Sequence, residues 1–226
     1  LEDAHAGTAL QIQFLTLGQV RDTLPLVDIE AWHSSGCLVH GRDLRSEVPR
    51  PALDTLRLDM TLLFLGRYGG PLGRTLPYDW CSQECLETFL RHPSMVTLWI
   101  VYPARVLHTW NSGRSVSKTE AVRWYSTQHP DSTSHWMREA LAWRAEGFPR
   151  KEQLAASWGP RIPELTHRFA ESLEAYLAGS PRGLDVSPSG TFDQVMRRLA
   201  KTAARWLDSV PALERRRGNL SWAHSD

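Results

Sequence analysis

Apolar and polar positions alternate over Ala9-Leu10-Gln11-Ile12-Gln13 and turn wholly apolar at Phe14-Leu15, the pattern of a half-buried strand. Gly18 to Glu30 predicts a short helix or turn interrupted at Pro25, and Gly36-Cys37-Leu38-Val39-His40-Gly41 a second short strand fenced by glycines. Pro49 and Pro51 mark a boundary, after which almost every segment has a helical period. Pro51 stands in the favoured first-turn position of a helix whose apolar residues Leu53, Leu56, Met60, Leu63 and Phe64 lie three and four apart. Gly66-Arg67-Tyr68-Gly69-Gly70-Pro71 ends that helix in a loop. Helices follow over about 79–91, over 95–110 with a kink or break expected at Pro103, and over 117–128. Further helices are expected over 131–146, 151–158 and 163–178, then a Gly/Pro/Ser linker over 180–188 and a last amphipathic helix over 191–208. Arg215-Arg216-Arg217-Gly218-Asn219 reads as a solvated tail, and no internal repeat is present. The pattern is mainly α: a helical bundle over 49–226 preceded by a small β-containing piece over 1–48.

Composition narrows the class without naming a function. Hydrophobic residues are 42% of the 226 and charged ones 23%, enough apolar material for a real core and too much for a disordered chain. The formal net charge of +1 supplies no global field for nucleic acid or an anionic membrane. The longest apolar run, Val96 to Tyr102, is far short of the roughly 20 residues of a membrane span. No signal peptide is recognisable at the start, and the three cysteines are few and odd in number, so a reducing, cytoplasmic setting is expected. Cys81 and Cys85 stand four apart on one face of an expected helix. A zinc site there needs two more ligands, of which only His92 is nearby, so buried structural cysteine is the simpler reading. Ten tryptophans point first to aromatic packing. The chain opens on Leu1-Glu2-Asp3 rather than Met, and is read as part of a longer one.

Two cations stand out. Ser117 and Glu120 fit a capping box at the start of the helix over 117–128. Lys118, in the first turn of that helix, opposes the helix dipole, which makes sense if an anion docks at the free N–H groups there; the ordinary alternative is an exposed lysine. Arg105 lies among Leu98, Ile100, Val101, Val106 and Leu107 and needs a partner, either a carboxylate such as Glu120 or a phosphate.

The run from Arg105 through Gly113 to Ser117-Lys118-Thr119-Glu120-Ala121-Val122-Arg123-Trp124 resembles the helical C-terminal domain of aminoglycoside adenylyltransferases, in the polymerase-β-like nucleotidyltransferase superfamily. Lys118 follows Arg105 by 13 residues and Trp124 follows Lys118 by 6, the steps of that family's arginine, glycine turn and lysine-led helix. Asp28-Ile29-Glu30-Ala31-Trp32, Cys37 to Leu44 and Val48-Pro49 resemble its exit from the catalytic domain, so the likeness covers roughly 9–128 and makes 1–48 the end of an α+β nucleotidyltransferase domain. The resemblance implies Mg²⁺-dependent transfer of a nucleoside monophosphate, AMP from ATP, to a hydroxyl of a small molecule. It implies that Arg105 and Lys118 contact the nucleotide phosphates, and that Tyr176 matches a nucleotide-contacting tyrosine.

Several family features are missing. The Gly-Ser turn followed by Asp-x-Asp, whose carboxylates hold the magnesium ions, does not occur; Gly179-Ser180 is followed only by Asp185 and Asp193. The position that the resemblance gives to a third carboxylate is Gln11, which takes no proton at neutral pH. The acidic residues expected shortly before Arg105 are replaced by Leu90-Arg91-His92-Pro93-Ser94-Met95, with only Asp79, Glu84 and Glu87 near, so an aminoglycoside substrate is not implied. The chain by itself is expected to be inactive.

Two other classes remain open. One is a non-catalytic helical module that binds nucleotide or a partner. The other is a HEPN-type ribonuclease, whose arginine-to-histidine spacing is met by Arg123 with His129 and by Arg161 with His167, although Trp124 and Ile162 stand where a polar neighbour is usual. Trp136, Trp143 and Trp158 fit a stacking platform or, more simply, core packing.

Overall fold

The computed structural model describes residues 16–36, 41–69, 93–129, 132–147, 161–178, 190–214 and 220. Among them the chain forms eight α-helices and no β-strand, so the mainly helical class holds. The strand expected over 9–15, residues 37–40 of the second, and the helices over 79–91 and 151–158 lie outside the described residues, as do Gln11, Cys37, Cys81, Cys85, His92, Trp158 and the arginine tail.

Helices α1 (Leu17–Thr23) and α2 (Leu26–Ser35) are separated by an extended Leu24-Pro25, the interruption that the sequence predicts. Thr16 and Gln19 close α1 with a full capping box, Thr16 Oγ1 accepting the Gln19 N–H at 3.2 Å and Gln19 Oε1 the Thr16 N–H at 2.8 Å. Helix α2 has no cap of its own, because Pro25 precedes it. Its cap comes from a distance: Asp59 Oδ2 accepts the Leu26 N–H at 2.8 Å. A short 3₁₀ turn, Arg45–Glu47, then leads towards α3 (Leu53–Gly69). Across this connection Glu30, 1% exposed, takes two hydrogen bonds from Arg50 at 2.6 and 2.7 Å, and His33 Nε2 lies 2.8 Å from the Val48 carbonyl oxygen.

Helix α3 corrects the sequence reading at both ends. The Leu56 N–H bonds to the Ala52 carbonyl, so Pro51 stands one residue before the N-cap rather than in the first turn. At the other end, the segment expected to loop from Gly66 stays helical through Gly69. Leu65 and Tyr68 are fully buried there, with the Tyr68 ring 4.6 Å from that of Phe64, and this burial outweighs the roughly 1 kcal/mol that a helical glycine costs. The helix is buried around most of its girth, with Leu58, Asp59, Met60, Thr61 and Leu62 all inaccessible, where the three-and-four spacing marks only one stripe.

Helix α4 (Pro93–Ser112) is the hub, packing on α3 and on α5 (Lys118–Gln128), α6 (Ser132–Glu146) and α7 (Arg161–Leu177). Pro103 lies inside it and the helix runs on, so no break occurs: Val101, Tyr102, Ala104, Val106 and Leu107 are all buried, and contacts on so many sides offset the ~3 kcal/mol of an internal proline. Arg57 Nε donates to the Trp110 carbonyl at 2.9 Å, joining the start of α3 to the end of α4, so the two run antiparallel. Helix α8 (Phe192–Leu207), capped by a Thr191–Gln194 box, buries Val195, Met196, Leu199, Ala203 and Leu207 against α3 and α7.

Candidate functional site

The turn between α4 and α5 positions both sequence-singled cations. It starts at Gly113, whose φ of +69° is a left-handed conformation that favours glycine, with the Gly113 N–H bonded to the Thr109 carbonyl at 2.9 Å. Ser112 Oγ braces it, donating to the His108 carbonyl at 2.8 Å and accepting the Arg114 N–H at 3.2 Å. The chain then passes over α4, and Ser115, 5% exposed, accepts a hydrogen bond from Arg105 Nη2 at 2.8 Å. Three residues later Lys118 is the first residue of α5, half-buried, behind the N-cap Ser117. Of the expected capping box, the described structure contains the Ser117 half: its Oγ accepts the Glu120 N–H at 3.2 Å.

Arg105 is half-buried, and its Nε is buried without a hydrogen-bond partner. Glu120, the carboxylate candidate, is exposed and does not pair with it; among the described residues Arg105 has no ion pair at all. A buried guanidinium N–H left unmet costs on the order of 1–3 kcal/mol, a cost that an acceptor oxygen would relieve.

Around the turn stands an aromatic and titratable group. The His108 ring meets Trp124 edge-on at 5.2 Å, and its Nδ1 lies 3.2 Å from Ser112 Oγ. Burial is the main cause that holds the His108 pKa below its ordinary 6.5; Arg114 adds to that, while a hydrogen bond with the Arg114 backbone and the Glu120 charge act against it.

A second arginine, missed in sequence because its segment reads as a loop, meets α4 at Tyr102. The Arg67 guanidinium sits over the Tyr102 ring, 4.3 Å from its centroid, and Arg67 Nη1 is buried without a hydrogen-bond partner. The readable signal was an arginine one residue from a tyrosine at the end of a helix with heavy apolar content.

Tyr176 lies near the end of α7, half-buried against the core, and burial raises its pKa. It belongs to a different helix from the α4–α5 turn, and the contacts described here tie it to the core rather than to Arg105. Among the described residues no three of His, Cys, Asp and Glu gather as a metal site. No described helix is long and apolar enough to cross a membrane.

Arg123 is exposed, while the His129 ring packs 4.7 Å from Tyr125. Arg161 pairs with Glu139 at 3.3 Å and lies 5.5 Å from the Trp136 ring, and His167 lies 3.6 Å from Glu171. Trp143 is buried and Trp136 packs on the core, so these two serve packing.

No protein-family model matches the chain, and no curated protein or solved structure does.

Proposed function

We propose that this chain is the nucleotide-phosphate-binding helical part of a nucleotidyltransferase, whose full reaction moves a nucleoside monophosphate, AMP from ATP, to a hydroxyl of a small molecule. The supporting observation is that Ser115 fastens Arg105 to the loop that opens α5 at Lys118. That puts a guanidinium with an unmet N–H and a helix N-terminus led by a lysine on one short turn. In the reaction, Arg105 and Lys118 hold the phosphates and stabilise charge as pyrophosphate leaves, a positioning and electrostatic role. The resemblance assigns Mg²⁺ to an Asp-x-Asp that this sequence does not contain, so in this reading the chain alone transfers nothing.

The Gln11 position and the missing acidic pair support a second reading, in which the chain recognises nucleotide without catalysing transfer. Both readings need the same site. Titrating the chain with ATP by calorimetry tests it: Lys118→Ala is expected to weaken binding about fivefold or more, the loss of one charged phosphate contact. Unchanged ATP affinity in that variant removes Lys118 from the site. ATP-independent RNA cleavage that disappears in His129→Ala would favour the ribonuclease instead.

A further inference from the structure

Arginines that reach into a helical core are expected to be paired, and two here are not. Arg67 on α3 contacts the Tyr102 ring face and leaves Nη1 buried and unbonded. Arg105 stands one turn beyond Tyr102 on α4, spends Nη2 on Ser115, and leaves Nε buried and unbonded. Neither guanidinium is ion-paired to a carboxylate among the described residues. Two cations with unmet buried N–H groups therefore adjoin Tyr102, Arg67 by contact with its ring and Arg105 by its place one turn along α4.

The groups around them do not cancel this charge. Tyr68 and Tyr102 are both buried, and burial raises their pKa values, against the pull of Arg67 on each and of Arg105 on Tyr102. Asp28 and Asp59 also act on Tyr102. Asp59 is engaged by the Leu26 N–H. A single carboxylate ligand matches one guanidinium fork; two separated guanidiniums match an anion with several charged oxygens.

We infer that Arg67 and Arg105 form a two-arginine receptor around Tyr102 for a polyphosphate group, with Arg67 as its second, previously unassigned ligand. This rests on the reading of Arg105 as a phosphate contact and adds to it a residue from α3. The ring of Tyr102 holds the Arg67 plane, so the cation is pre-positioned and little rotamer freedom is lost on binding.

Inorganic tripolyphosphate, which carries the phosphate chemistry without a nucleoside, is the probe. Calorimetric titration of the 226-residue chain is expected to show binding of tripolyphosphate and of ATP. Arg67→Gln and Arg67→Met, each checked for native circular dichroism, are expected to weaken tripolyphosphate binding about tenfold, as Arg105→Gln does. Wild-type tripolyphosphate affinity in a folded Arg67 variant overturns the inference. If ATP binding then still falls in Arg105→Gln, the nucleotide reading stands without Arg67. If tripolyphosphate binding depends on Arg67 while ATP does not bind, the receptor stands and the nucleotide reading falls. Should both Arg67 variants fail to fold, thermal melting of the unmutated chain decides: tripolyphosphate is expected to raise Tm, and no rise at about 10 mM overturns the inference.

Discussion

The carboxylate of Asp59, in the middle of α3, accepts the backbone N–H of Leu26 at 2.8 Å and so caps a helix 33 residues earlier in the chain. Proline at the N-cap position of α2 offers no side-chain acceptor, and the neighbouring helix supplies one instead.

Asp59→Ala is therefore expected to destabilise the fold by about 2 kcal/mol, the loss of a cap inside a fully buried site. Asp59→Asn keeps an acceptor oxygen and is expected to lose less. Urea unfolding of the two variants checks the order, and equal loss in both would mean that the carboxylate's charge matters more than its acceptor.

How far this was legible varies by element. The amphipathic spacing of Val195, Met196, Leu199 and Ala203, with Thr191 three residues before Gln194, specifies α8 almost to the residue. The break at Pro25 and the α4–α5 turn at Gly113 are equally local signals. The end of α3 was not legible, because Gly66 and Gly69 are local breakers while the burial of Tyr68 against Phe64 that overrides them is a tertiary fact. The cap from Asp59 was hidden for the same reason. At the site, Arg105 and Lys118 could be read from residue type and spacing, but Ser115 as their link and Arg67 as a second cation needed α3 and α4 in place.

The turn that carries Ser115 depends on Gly113. Gly113→Ala forces a Cβ into φ +69° and to within 2.8 Å of Leu53 Cδ1, a side-chain end that is able to shift. The backbone term remains, and a loss of about 1–2 kcal/mol is expected. Thermal unfolding reads it; a change within experimental error would show that the turn relaxes to another conformation.

His108 gives the fold a pH dependence of defined sign. Its pKa is lowered from 6.5 in the folded chain, so the unfolded chain binds the proton more readily. Its contribution is full above about pH 6.5 and is lost as pH falls below that towards the lowered folded value. His108→Asn should therefore narrow the drop in Tm between neutral and acid pH. An identical drop in both proteins would place the titration elsewhere.

Ser115→Ala removes the hydroxyl that fastens Arg105 while adding no volume. A stability change of about 1 kcal/mol is expected, together with a several-fold loss of tripolyphosphate affinity as the guanidinium loses its orientation. Unaltered affinity with the bond removed would show that Arg105 needs no such positioning.

The most direct measurement is the affinity of the chain for ATP against AMP, in the wild type and in Arg105→Gln. If the α4–α5 turn binds the phosphate chain, ATP binds more tightly than AMP and the preference falls about tenfold when Arg105 is neutralised. Equal affinity for the two nucleotides, or a preference that survives Arg105→Gln, would contradict a phosphate site built on Arg105 and Lys118.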